Sequence, residues 1–328
     1  MPRTPQASAL RSISSRSPGV FLLFSIFVLS ASLLIAADAP PKLEPKYPFR
    51  VGWANEHLPW YQCKNLEFPP HHSDKRIGGE LVQADFIHRT GQFRLNKTGE
   101  LMIFKMPPYG AINYLNAEAD LRDVPLGTYF LFFLNQDENG NFTRLATMQD
   151  QFTMDAGHSF SYRLDEAKLS EGKLLVTKQS LSKNQPDLGK QEVRVTDQTR
   201  VWKGNQQIKL TDLVAGDELL YNRSAETATS PSQCLDLWVG ADTHKSTTEK
   251  QQEKFNAFVK HRGLPGWIER TEGNKLTVTL FSGDVKAFQK AFAEDMKKDS
   301  DIRVMVANDE LRTWNVPVDN EGGKIVEV

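Results

Sequence analysis

Between residues 100 and 223 the apolar positions fall into short runs. "ELMIFKM" (100–106), "TYFLFFLNQ" (128–136), "NFTRLATM" (141–148), "HSFSYRL" (158–164), "KLLVTKQ" (173–179), "EVRVTD" (192–197), "TRVWKG" (199–204) and "DELLYNR" (217–223) alternate or cluster apolar residues over strand-like lengths. Gly, Asn and Pro separate them. Asn139-Gly140 between the second and third runs is a hairpin signal. Many short strands with frequent turn residues predict small barrels or sandwiches. The period then changes. In 247–263, Phe255, Phe258 and Val259 share a helical face, Ser246 and Glu249 have capping-box spacing, and Gly263 stops the run. A second helical pattern, 283–300, offers Asp284 as cap and Val285, Phe288, Ala291, Phe292 and Met296 along one side. Strands "RVMVAND" and "KIVEV" close the chain.

One phrase occurs twice. "LRDVPLGTYFLFFL" (121–134) and "LTDLVAGDELLYNR" (210–223) share Leu-x-Asp-apolar-x-x-Gly-x-x-apolar. The match extends upstream without a gap, 112–121 lying over 201–210 with Asn116 on Asn205. "ELMIF" also lies over "EVRVT" across a loop of different length. A repeated unit is therefore expected, with a third relative beginning at Gly266. Asp123 and Asp212 suggest paired chemistry, but turn mechanics explains them better. An Asp at a turn start accepts backbone N–H groups, and Gly127 or Gly216 takes positive φ. Function is then expected on surfaces where the copies differ.

The N-terminus changes the picture of location. Arg3, Arg11 and Arg16 precede an apolar run, Val20–Ala37, and no acidic residue occurs before Asp38. This is the pattern of a secretory signal cleaved after Ala37, or of an uncleaved anchor over 20–37. Residues 38–48 carry four prolines and read as a linker. The formal net charge of −1 argues against nucleic acid and against an anionic membrane surface, although a local basic patch fits inside that total. Membrane contact is expected only through an uncleaved 20–37. Cys63 and Cys234 are the two cysteines; export allows a disulfide between them, and burial as free thiols is the other reading.

The repeated unit resembles small β-barrel repeats of unknown function in bacterial envelope proteins, whose closing strand follows a Leu-x-x-Gly-Asp turn. Residues 266–328, with "LTVTLFSGD" and "VMVANDELRTWNVPVD", also resemble uncharacterised exported proteins of planctomycete-type bacteria. The resemblance implies an OB-like barrel and an exported location, and no activity. The expected architecture is mainly β: two or three small OB-like barrel units with two added helices in the C-terminal part. The expected domains are 1–37 signal, 38–48 linker, 49–165 first barrel, 166–245 second barrel and 246–328 a helix-containing β domain.

Candidate chemistry is sparse. His57, His71, His72 and His88 cluster in sequence and supply imidazoles for a metal, but no HExxH or CxxC accompanies them. Asn135, Asp137, Asn139 and Gly140 imitate the start of a calcium loop, yet position twelve falls on Ala146 where a Glu is required. No nucleophile elbow, Walker loop or dinucleotide fingerprint is present, and no cofactor is expected. Trp53, Trp60 and Tyr61 offer flat rings for a sugar or peptide, or for packing on a barrel end. The reading is a non-enzymatic exported binding or scaffolding module, with an envelope protein or glycan as partner. The alternative is an exported metal-dependent enzyme using the four histidines.

Overall fold

The computed structural model describes residues 49–52, 54–64, 67–182, 185–281, 292, 296–304 and 321–324. Tyr47–Val328 forms one compact unit. The expected signal and linker lie outside the described residues, as does most of the helical pattern at 283–300.

The protein is mainly β. Seven strands form the first sheet: β1 (Lys75–Asp85), β2 (Thr90–Leu95), β3 (Leu101–Lys105), β4 (Ala111–Tyr114), β5 (Ala117–Ala119), β6 (Tyr129–Gln136) and β7 (Phe142–Asp150). Their order is β3-β2-β1-β6-β7-β4-β5. A parallel contact, Lys105 with Arg144, joins β3 to β7 and closes β1, β2, β3, β7 and β6 into a five-stranded barrel. This is the Greek-key arrangement of OB-type barrels. Alternation along β6 sends Phe130, Phe132 and Leu134 inward, where Phe132 stacks on Phe93 at 4.0 Å. Gly91 makes room for this aromatic core, since a Cβ there would meet the Phe104 ring at 2.5 Å.

After α1 (Gln151–Gly157), seven more strands form the second sheet: β8 (Phe160–Lys168), β9 (Lys173–Ser180), β10 (Gly189–Arg194), β11 (Arg200–Lys203), β12 (Gln206–Ile208), β13 (Glu218–Arg223) and β14 (Cys234–Val239). The order is β10-β9-β8-β13-β14-β11-β12, the same sequence of positions as in the first sheet. Registers agree as well. Ile112 pairs with Ala119 as Val201 pairs with Ile208, and a bulge follows Leu81 in β1 as another follows Leu164 in β8. The second sheet departs from the expected closed barrel: no β10–β14 pairing occurs among the described residues. There the β10–β11 connection comes against the start of β14, with the Thr199 hydroxyl donating to the Cys234 carbonyl at 2.8 Å.

The helices exchange partners between the sheets. α1 follows the first sheet and packs between the two, on β8 and β13 of the second and on β4, β6 and β7 of the first. α2 (Ala241–Arg262) ends the second sheet and lies across β5, the edge strand of the first. An exposed strand edge invites foreign pairing, and here the helix covers it. Glu118, in the middle of β5, donates its N–H to Gln252 Oε1 at 3.3 Å, and its carbonyl accepts from Gln251 Nε2 at 3.1 Å. The Arg122 guanidinium lies 3.8 Å from the Phe258 ring centroid, adding a cation–aromatic contact to the same interface.

At the other crossing, Asp150 is fully buried and caps α1. Its carboxylate accepts from Thr153 N (2.9 Å), Leu115 N (3.2 Å) and Asn222 Nδ2 (2.7 Å), while Asn222 Oδ1 accepts from Phe152 N at 3.0 Å. Burial pushes the Asp150 carboxyl pKa up and these donors oppose it. One turn on, Asp155 accepts from Tyr162 OH at 2.9 Å and from Lys178 Nζ at 2.7 Å.

Several expectations are corrected. The boundary at 165/166 falls inside β8 and that at 245/246 inside α2, because the chain changes sheets through helices rather than through linkers. α2 begins at Ala241 with Gly240 as its cap, so Ser246 is interior to the helix and its hydroxyl donates to the Thr243 carbonyl. α1 is a helix the pattern does not announce. No disulfide forms: Cys63 and Cys234 are buried free thiols. Burial pushes the Cys63 thiol up to about 11 and raises that of Cys234 as well.

β15 (Gly266–Glu272) and β16 (Lys275–Leu280) form a hairpin that also carries a bulge, after Ile268. Phe68 anchors it through ring contacts with Trp267 (4.8 Å) and Phe281 (5.5 Å). β17 (Asp301–Val304) and β18 (Glu321–Lys324) pair separately.

Asn222→Ala leaves the Phe152 N–H without its acceptor and removes a donor from the buried Asp150 carboxylate. Urea unfolding is expected to show a loss of about 2–4 kcal/mol. A loss below about 0.5 kcal/mol, the scale of an ordinary surface change, contradicts the role given to this pair.

Candidate functional site

β11 and β14 run parallel, and their register sets Trp202 beside Trp238. Paired residues on neighbouring strands project from the same face, so the two indoles stand side by side. The equivalent positions of the first sheet are Asn113 and Gln149, which pair in the same register. Asp236, 4% exposed, fixes the outer indole: its Oδ1 accepts from Trp202 Nε1 at 3.1 Å, while Oδ2 accepts from Arg200 Nη2 at 2.6 Å. Trp238 is buried and meets Phe152 of α1 edge-on at 5.1 Å.

These indoles floor a cleft of about 270 Å³. One wall is α2, through Thr247, Lys250, Gln251 and Lys254. Their spacing, i, i+3, i+4, i+7, is a single helical stripe. A stripe turned toward protein is normally apolar; this one is polar over an aromatic floor. The rest of the rim is Leu115, at the β4–β5 turn, with Gly204 and Asn205 at the matching β11–β12 turn. Both sheets and α2 thus build the same cleft.

Two features hold its geometry. Leu115 has φ +56°, a left-handed conformation costing roughly 1–2 kcal/mol for a residue with a Cβ. It is kept there by its N–H bond to buried Asp150 and by its carbonyl, which accepts from Thr248 Oγ1 at 2.8 Å. Strain of this kind persists only where surrounding structure over-determines it. Lys254 is placed by Asp123 Oδ1 at 2.7 Å, and Lys250 reaches Asn205 Oδ1.

The residues singled out from sequence fall elsewhere, apart from Asp123. Asp123 Oδ2 accepts the Asp120 N–H (3.2 Å) and Asp212 Oδ2 the Lys209 N–H (3.0 Å), with Gly127 at φ +84° and Gly216 at +95°. Trp60 is half-buried, edge-on to Phe142 at 5.6 Å and covered by the Arg50 guanidinium at 4.9 Å. Tyr61 is half-buried and donates to Glu67 Oε1 at 2.5 Å. Trp53 lies outside the described residues. His57, His71, His72 and His88 are all exposed. His88 bonds Asp85 at the β1–β2 turn, and the rings of His71 and His72 lie 6.4 Å apart. Among the described residues, no group of three or more His, Cys, Asp or Glu is placed to hold a metal. Asp137 serves its own hairpin, accepting from the Asn139 and Asn141 N–H groups and the Thr143 hydroxyl. Among the described residues no helix is long and apolar enough to cross a membrane.

The sequence did hold a signal for the cleft. The gap-free overlay of 112–121 on 201–210 sets Trp202 on Asn113, a place where the two segments differ. The polar stripe at 247, 250, 251 and 254 was also readable. Comparison with known proteins finds no matching family model, no matching curated protein and no matching solved structure.

Beneath the cleft, His244 lies against the Trp238 carbonyl, which accepts from Nε2 at 2.9 Å; Nδ1 is 3.4 Å from Glu218 Oε1. Burial holds its pKa below the usual value near 6.5. The unfolded chain therefore binds a proton here that the folded chain resists, so this group's contribution to stability is lost as pH falls below about 6.5. Thermal melts from pH 7.5 to 5 are expected to show a falling Tm, with a shallower fall in His244→Gln. Identical pH slopes in both proteins contradict this assignment.

Proposed function

We propose that the protein is an exported, non-catalytic binding module of the bacterial envelope, and that its ligand is a glycan held in the Trp202–Trp238 cleft. The observation that carries the reading is the cleft's composition. The half-buried Trp202 indole, backed by buried Trp238, meets a polar helical stripe, supplying an apolar face for a sugar ring and polar side chains for its hydroxyls. Export is supported by the N-terminal pattern of Arg3, Arg11 and Arg16 before Val20–Ala37.

We also read the two sheets as copies of one repeated unit. Supporting this are the shared strand order, the matching bulges and the gap-free overlay at 112–121 and 201–210. Duplication then explains why the Leu-x-Asp turn is common to both while the tryptophans occur in one. The metal-dependent enzyme alternative finds no convergent donor set among the described residues.

The test is a glycan array carrying bacterial envelope oligosaccharides, probed with the full chain and with Trp202→Ala. Binding to a defined class is expected, with a Kd at least tenfold weaker in the variant, or about 1.4 kcal/mol. Absence of any binding, or undiminished binding by Trp202→Ala, overturns the reading.

A further inference from the structure

The charge arrangement inside the cleft goes one step beyond a generic sugar site. Lys250 and Lys254 stand one turn apart on the same stripe of α2. Their situations differ. Lys254 is paired with Asp123, whose side chain is 4% exposed, so that charge is met within the protein. Lys250 contacts the amide oxygen of Asn205, a neutral partner, and among the described residues it makes no ion pair. The cleft therefore presents one cation beside two indoles without a fixed anion of its own.

We infer that the ligand is an acidic saccharide whose carboxylate pairs with Lys250 while its ring lies over the Trp202–Trp238 floor. This rests on the glycan reading above and names the class of sugar. The cleft volume of about 270 Å³ is just under the roughly 300 Å³ where drug-sized pockets begin, so it suits one substituted pyranose rather than a long chain. Lys250 is exposed, so its ammonium offers a carboxylate beside the Trp202 ring a modest attraction that salt screens. The exposed Asn205 amide, whose Oδ1 meets Lys250, offers its Nδ2 to a ring hydroxyl. The protein's formal net charge of −1 gives no general attraction for anions, so the preference is local to this cleft.

The first sheet supports the assignment by contrast. Its equivalents of Trp202 and Trp238 are Asn113 and Gln149, and α2 closes over its β4–β5 turn rather than opening beside it. The tryptophan floor is thus confined to the second sheet, while the first contributes Leu115 to the rim.

The experiment compares cellobiouronic acid with cellobiose, which differ at one carbon, a carboxylate against a hydroxymethyl group. Both are titrated into the full chain at low salt, followed by tryptophan fluorescence and calorimetry. Binding of the acid about two- to fivefold tighter is expected. Lys250→Gln, at an exposed helix position, is expected to remove that preference, so that the acid and cellobiose bind alike, whereas Trp202→Ala weakens both. Equal binding of the two sugars overturns the acidic assignment and leaves the glycan reading standing. A preference for the acid that survives in Lys250→Gln overturns the role of Lys250. If neither sugar binds but poly-glutamate does, the ligand is an acidic peptide and both readings fall together.

Discussion

Asp150 ends β7 and begins α1, and its carboxylate joins three parts of the fold at one point. It caps the helix through Thr153, fixes the β4–β5 turn through Leu115, and reaches β13 of the second sheet through Asn222. A fully buried carboxylate is costly unless its lone pairs are met, so the acceptors and donors around it are obliged to stay in place. That obligation sets the first sheet against the second. α2 then returns the contact from the other side, with Gln251 and Gln252 occupying the edge of β5 as a strand would. Directional bonds at both helix crossings hold the two sheets, together with an apolar cluster of Phe152, Leu220, Trp238 and Leu115 and a backbone bridge from Lys97 to Thr227.

The cleft is a by-product of this geometry before it is a site. A helix bridging two sheets leaves a hollow beside the point where it crosses, and the hollow's lining depends on residues that packing does not dictate. Here those residues are two tryptophans, two lysines, two amides and a leucine held at positive φ. The Leu-x-Asp turn also gains a second role in one copy. Asp212 serves its own turn, whereas Asp123 additionally positions Lys254 across the interface. The strand order is shared, and the cleft is lined where the two sheets differ.

How much of this was legible depended on the range of the interaction. Strand alternation is local, so β3, β6, β7, β9, β11 and β13 could be read directly, as could the turn that precedes β6 and β13. The equivalence of the units was legible because Ile112–Leu121 overlays Val201–Leu210 without a gap. Barrel closure was not, since it rests on Lys105 meeting Arg144 in space. α1 was hidden because seven residues carry too little periodicity and its cap, Asp150, stands inside a strand-like run. The start of α2 was misplaced because Gly240 caps without a side chain. The histidines misled in the opposite sense, close in sequence but turned out to solvent. Trp202 and Trp238 are far apart in the chain and become neighbours only through the parallel pairing of β11 with β14.

The central claim is that exchanged helices make the two sheets one energetic body, with the cleft at their junction. Hydrogen-exchange mass spectrometry on the full chain tests it most directly. The account predicts that the slowest amides of β6, β13, α1 and α2 exchange together, with one common opening free energy. If the second sheet exchanges through its own opening while the barrel stays protected, the sheets are independent and the account is wrong.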